Sequence, residues 1–307
     1  MQKKYFVATL AIALIPHLVS AQPPGPPTGP QTLEQRIGHS DPTKYNHLHA
    51  VHEGANDMDF RALLGANSVD ANLLFFHRGV IPPKAGIGEH FHNKCEEMFV
   101  ILNGQAQFTV DGHTSEIKGP VGVPDTMGHA HAIYNDTDEP LQWLNINVGM
   151  TKVYDNFDLG DTRVGATLEP IPQFVTMHLD RTLLRPAEHM DGGTGTVQYR
   201  RVLGPAVFTT TWSYVDHLLI PPGATVGPSA KADIAEVYYV LGGDGNVTVG
   251  TETAAIHTGD VVPVRTTETR SISNSGTAPL EFMVIGVAKD FAAKDVLMAT
   301  PPRRPNR

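Results

Sequence analysis

A single cysteine, Cys95, in 307 residues excludes an internal disulfide, so stability has to come from packing. Basic residues are scarce too: 23 Lys and Arg stand against 32 Asp and Glu. A surface of that balance repels nucleic acid and anionic lipid, which argues against either as a partner. Past residue 21 no segment is apolar enough to span a bilayer. Nor does any long stretch carry a convincing helical period. The length allows two ordinary domains, each with a full hydrophobic core, or one large one.

Residues 1–21 read as a secretory signal, with Lys3 and Lys4 as the basic start, Tyr5 to Leu18 as the apolar stretch and Val19-Ser20-Ala21 as the cleavage site. Pro16, His17 and the shortness of the run argue against a membrane anchor. No cysteine follows the site to carry a lipid. The mature chain is expected to start near Gln22 and to be secreted or periplasmic. Losing two lysines and no acids takes its formal charge from −9 to near −11. Gln22 to Pro30, QPPGPPTGP, has nothing to bury and reads as part of an extended tether over 22–42. PPRRPNR, at the end of a tail over 291–307, reads the same way.

The chain repeats itself at one constant offset of 139 residues, without a gap from Phe60 to Val148. Ile81-Pro82-Pro83 returns as Ile220-Pro221-Pro222, Glu97 as Glu236, Gly104 as Gly243, Pro124 as Pro263 and Asn135 as Asn274. Two copies are too few for a solenoid, so each is a domain. Within a copy, short apolar strands are broken by turn dipeptides such as Asn103-Gly104 and Asp111-Gly112. This predicts an all-β sandwich or barrel. The stretch from Tyr154 to Gly195, with a short helix expected near 176–184, forms linker and cover.

The chemistry is concentrated in the first copy. GEHFHNKCEEMFVILNG places His90 and His92 two apart, on one face if extended, with Glu97 five residues on. GHAHAIYN supplies His129 and His131. Three imidazoles and a carboxylate converging in a barrel suit one divalent Fe, Mn, Ni, Cu or Zn ion. Glu96 competes with Glu97, but position 97 returns as Glu236 and position 96 as Ala235. The spacing of Cys95 fits packing better than ligation, and His113 sits at an exposed turn.

These segments resemble the two signature motifs of the cupin superfamily. His90, His92, Glu97 and Gly104 fit the first; Gly128, His131 and Asn135 fit the second. The leading Pro-Gly of the first motif is Pro83-Lys84 here, and Pro124 lies two residues further upstream than usual. The resemblance covers most of residues 45 to 290. It implies two cupin barrels (double-stranded β-helix, or jelly-roll) in tandem, an N-terminal one at 43–155 and a C-terminal one at 191–290, joined by a linker at 156–190. It also implies metal ligation by His90, His92, Glu97 and His131. The Gly128-to-Asn135 spacing favours His131 as the ligand, leaving His129 with Glu97 as a proton-transfer candidate.

In the second copy the three histidines become Ser229, Lys231 and Arg270, so a metal there would meet two cations. Lys231 and Arg270 either pair with Glu236 in a buried cluster or offer a carboxylate an anion pocket. Members of the superfamily include dioxygenases, decarboxylases, lyases and pure binders. Oxalate decarboxylases share the exported two-barrel layout but keep ligands in both copies. The expected activity is a dioxygenase-like oxidation of a small phenolic or hydroxy-acid substrate. The alternatives are a cupin lyase or decarboxylase, and a non-catalytic binder of small ligands or carbohydrate. Assembly into a homo-oligomer is compatible with either.

Overall fold

A computed structural model describes residues 31–299; the secretory segment 1–21, the tract Gln22 to Pro30 and the tail from Thr300 lie outside them. Strands dominate the described elements, with only two α-helices, Leu33–Arg36 and Phe291–Ala299. The first barrel closes a sheet ordered Asn46–His49, Asp57–Gly65, Leu73–Ile81, Leu141–Gly149, Cys95–Ile101, Val121–Asp125, Met177–His178 over a smaller one ordered Phe157–Asp158, Gly86–Phe91, Ala130–Tyr134, Gln105–Val110, His113–Lys118. The second repeats the plan with Arg185–Glu188, Thr196–Leu203, Trp212–Ile220, Leu280–Ala288, Ile234–Gly242, Val261–Val264 over Thr225–Ala230, Thr269–Ser273, Asp244–Val249, Glu252–His257. The offset of 139 holds strand by strand and reaches back to Asn46–His49 and Arg185–Glu188.

Turn chemistry sets the register. Val110 pairs with His113 across Asp111-Gly112, both at positive φ (49° and 79°), as a two-residue hairpin turn requires. Gly104 and Gly243 hold equivalent left-handed positions at 62° and 85°.

The two barrels pack against each other through their larger sheets. Met98, Val100, Leu144, Ile146 and Val148 meet Val237, Tyr239, Met283, Ile285 and Val287 in one cluster. Phe76 stacks on Tyr239 with ring centres 5.4 Å apart. This interface explains why Cys95–Ile101 is buried at every position: one face fills its own barrel and the other meets the neighbour, so the stretch Met98 to Ile101 reads as an unbroken apolar run.

Four segments differ from the sequence reading. Residues 31–42 are no tether. Thr32 caps the turn Leu33–Arg36 in a capping box with Gln35, and Leu33 and Ile37, one helical turn apart, join the second barrel's interior cluster. Gly38 then bridges Val261, and the Arg36 guanidinium forks onto Glu268 at 2.8 and 2.7 Å. At the other end, Phe291–Ala299 is a helix within the expected tail. Ala293 packs with Tyr214, Ile234 and Ala288, and the Lys294 amine donates to the carbonyls of Phe208 and Thr210. The helix expected near 176–184 is absent: Met177–His178 pairs with Val121 and Gly122, and only Arg181–Leu183 makes a 3-10 turn. The linker gives strands to both barrels, and the second barrel begins at Arg185, because Arg185–Glu188 pairs with Thr196 to Tyr199.

Candidate metal centre

The strand Cys95–Ile101 turns Glu97, Phe99 and Ile101 into the first barrel and Glu96, Met98 and Val100 toward the second. Opposite it, Gly86–Phe91 pairs with Ala130–Tyr134, and His90 sits directly across from His131. His92 follows just past the strand end. The four side chains converge with every ligand atom within 4.8 Å of the others, and all four are at most 2% exposed.

Each donor is aimed by a second contact. His90 Nδ1 donates to the Gly88 carbonyl at 2.8 Å and His92 Nδ1 to the Asp155 carbonyl at 2.6 Å. A carbonyl can only accept, so both imidazoles carry a proton on Nδ1 and turn Nε2 inward, the atom that would hold an ion once deprotonated. His131 stacks on Phe99 at 4.3 Å, and His90 on His52 at 3.8 Å. Glu97 Oε1 accepts from Asn147 Nδ2 at 3.0 Å, which leaves Oε2 for the centre.

The separations fit an ion. His131 Nε2 lies 3.1 Å from His90 Nε2 and 3.3 Å from His92 Nε2; Glu97 Oε2 lies 3.3 Å from His131 and 3.6 Å from both other imidazoles. Bonds of about 2.1 Å put neighbouring donors about 3.0 Å apart on an octahedron and about 3.4 Å apart on a tetrahedron.

Electrostatics agree with a ligand set. Burial and the neighbouring His90 push the His131 pKa down to about 3, so this imidazole is neutral. Burial opposes ionisation of Glu97, but His92 and hydrogen bonding from all three imidazoles hold it well below the usual carboxylate range. In the metal-free site His92, raised to about 11 by Glu97 against the opposing effect of burial, carries the balancing proton.

His129 lies outside this centre. Gly128, at φ 87°, breaks the chain before the strand begins at Ala130, so His129 and His131 do not share a pleat. His129 points outward, its side chain 47% exposed, with Nδ1 2.6 Å from Asp111 Oδ2. The expected proton-transfer role for it therefore fails on placement. Cys95 is buried beside His92 and accepts from Asn147 at 3.4 Å. His92, Cys95 and Asp155 also form a close group, but the Asp155 carboxylate accepts from the Asn93 and Lys94 amides. His113 is half-exposed and pairs with Glu169.

Several residues escaped the sequence reading. Asn145 and Asn147 sit at period two in the mostly apolar strand Leu141–Gly149 and become Val284 and Gly286 in the second copy, a legible signal. His52 precedes the span where the repeat was recognised. Asp125, opposite Glu97 across the sheet, is 1% exposed with neither carboxylate oxygen partnered; burial pushes it up to about 8, so it is neutral at pH 7.

In the second barrel Glu236 is saturated. Tyr214, Lys231 and Tyr238 donate to it at 2.7, 2.5 and 2.7 Å. Arg270 gives Nε to Tyr238 at 2.6 Å, Nη1 to the Gly227 carbonyl and Nη2 to Asp191 at 2.9 Å. Each of the three guanidinium nitrogens is thus already engaged by the protein, and Lys231 is held between Tyr214 and Glu236. Burial opposes the charge on Glu236, yet Lys231 and Arg270 bring its pKa down to about 2.

A β-barrel holding three histidines and a glutamate around one point is a metal-binding protein, and sequence comparison gives the family. The cupin domain matches residues 77–147 and again 216–286. The oxalate-binding protein of Thermotoga maritima is 30% identical over 97 residues, covering 32% of this chain and 80% of that one. The chain belongs to the cupin superfamily, as a two-domain bicupin with one intact metal motif. The Lactobacillus farciminis oxalate decarboxylase in its formate complex has a TM-score of 0.58 at 17% identity, over 82% of this chain and 86% of that one. The Bacillus subtilis oxalate decarboxylase, an enzyme with Mn(II) centres, also has a TM-score of 0.58 at 17% identity, over 85% and 78%. At that identity the likeness is one of fold.

Proposed function

We propose that this chain is an exported, metal-dependent oxidoreductase of the dioxygenase-like kind, acting on a small phenolic or hydroxy-acid substrate that chelates the metal through two oxygens. The observation that carries the reading is the set of four inward donors, His90, His92, Glu97 and His131, within 4.8 Å of one another. These four residues would hold the ion, and a six-coordinate ion held by four protein donors would still have room for a chelating ligand. When bound, the metal supplies Lewis-acid or redox chemistry to the substrate's oxygens.

The protein's own contribution is orientation and proton handling. Asn147 fixes the Glu97 carboxylate at Oε1, and Oε2 is the basic atom placed to take a substrate hydroxyl proton. Phe99 and His52 hold the rings of His131 and His90. Tyr154, its ring 5.5 Å from that of His92, stands beside the site on its solvent side. The basic, apolar and small-residue order of residues 1–21 supports export.

A decarboxylase or a non-catalytic oxalate binder is the second reading, favoured by the name of the Thermotoga relative. Metal analysis of purified protein followed by oxygen-electrode assays on catechols, hydroxy acids and oxalate separates the readings. Metal-dependent oxygen uptake with phenols or hydroxy acids supports the oxidoreductase. Release of carbon dioxide from oxalate without that uptake replaces it with a decarboxylase, and chelator-insensitive oxalate binding without turnover replaces it with a binder.

A further inference from the structure

We propose that the substrate of the first barrel is a planar aromatic chelator, a ring bearing two adjacent hydroxyls, which enters past Ala62 alongside the stacked rings of Phe75 and His77. The inference rests on the chelating-substrate reading above and narrows it to one chemical class. It comes from comparing the two halves of the chain at the mouth of each barrel.

In the second barrel the mouth is plugged. The Arg201 guanidinium lies 4.0 Å above the Tyr214 ring and is tied to Asp216 at 2.9 and 3.1 Å. Tyr199 adds a bond to the same carboxylate at 2.9 Å. Beneath this layer Tyr214 reaches down to Glu236.

At the offset of 139 these four residues are Phe60, Ala62, Phe75 and His77, above Glu97. The backbone is alike in both places, since each strand slips register at the same point, between Ala62 and Leu64 and between Arg201 and Leu203. Ala62 ends at Cβ, so the first barrel has no counterpart of the Arg201–Asp216 pair across its mouth, and the ring stacked on Phe75 is that of His77. Consistent with that, Phe60, Ala62, Phe75 and His77 all keep partial exposure.

The walls are shaped for a flat ring. Phe75 and His77 stack in parallel at 4.0 Å and 8°, Phe60 lies 5.2 Å from His77, and Tyr154 meets Phe75 edge-on at 5.4 Å. Aromatic rings bind aromatic faces in offset or edge geometry. Asn145, the register partner of His77, is buried with Oδ1 unpartnered, an acceptor for a substrate hydroxyl. No Lys or Arg in the described strands turns into this interior, where the acidic side chains are Glu97 and the neutral Asp125. A small dicarboxylate would enter with only the metal to balance it, whereas a neutral phenol needs no cation until it binds.

The test uses metal-loaded full-length protein titrated with 4-nitrocatechol and read by visible absorbance. Wild type should bind saturably. Ala62→Arg with His77→Asp, which rebuilds the plug, should weaken binding at least tenfold while metal content and azide binding stay unchanged. Phe75→Leu, which keeps apolar bulk but loses the ring, should weaken it about three- to tenfold, and it serves if the double variant fails to fold. No binding by wild type, or equal affinity in the plugged variant, would overturn the proposal. Nitrocatechol binding without oxygen uptake would leave the aromatic entrance standing and remove the oxidoreductase. Metal-dependent oxygen uptake on hydroxy acids alone, without nitrocatechol binding, would do the reverse.

Discussion

Glu96 and Glu97 are neighbours on one strand and serve opposite barrels. Glu97 turns inward, its Oε2 3.3 Å from His131 Nε2. Glu96 crosses the interface, where its carboxylate accepts from the amides and hydroxyls of Thr209 and Thr210 in the second barrel, at 2.5 to 2.9 Å. Glu96→Ala should therefore lower stability by about 3 kcal/mol, since hydrogen bonds to a buried charge are among the stronger ones. Metal loading should stay intact. Glu97→Gln should instead cut metal affinity, because it removes one of the four donors. Calorimetry and elemental analysis on the two variants check the split; parallel losses in both would contradict it.

Glu236 stands where the second barrel's metal ligand would be, and its partners are cations and tyrosines. Removing its carboxylate by Glu236→Ala strands Lys231 and Arg270 and should cost about 3–5 kcal/mol. The pH dependence has a definite sign. The folded pKa of about 2 lies below the ordinary 4.5, so the contribution is fully present above pH 4.5 and fades as pH falls toward 2. Denaturant titrations at pH 7 and pH 3 should show a smaller wild-type-to-variant gap at the lower pH. A constant gap would remove the ion cluster as its source.

His129→Ala should leave metal content and activity within twofold of wild type, because this side chain bonds Asp111 on the outer surface. A hundredfold loss of activity with intact metal would return His129 to the proton path.

The first and last described segments clasp the second barrel. Leu33→Ala should destabilise the protein by about 2–4 kcal/mol through a cavity beside Ile37, measured by thermal or urea unfolding. An effect under about 0.5 kcal/mol would mean the segment is a tether after all.

Much of this was legible in the sequence. The offset of 139 predicted two barrels, and it chose Glu97 over Glu96 because only position 97 repeats as Glu. His90 and His131 were found because their spacing is set by strand pleat and pairing. His129 was misplaced because alternation predicts a face only where the strand is continuous, and the chain turns at Gly128. The docking of Leu33 and Ile37 had no local signature. Their partners, among them Val262 and Ile256, lie more than two hundred residues away. The Arg201 plug was visible in the repeat but acquired meaning only once Asp216 and Tyr214 were seen around it.

Elemental analysis of the purified chain tests the central claim most directly. One transition-metal ion per chain is expected in wild type and in Ser229→Ala, and none in His92→Ala. Two ions per chain, or full loading of the His92 variant, would contradict a single centre in the first barrel.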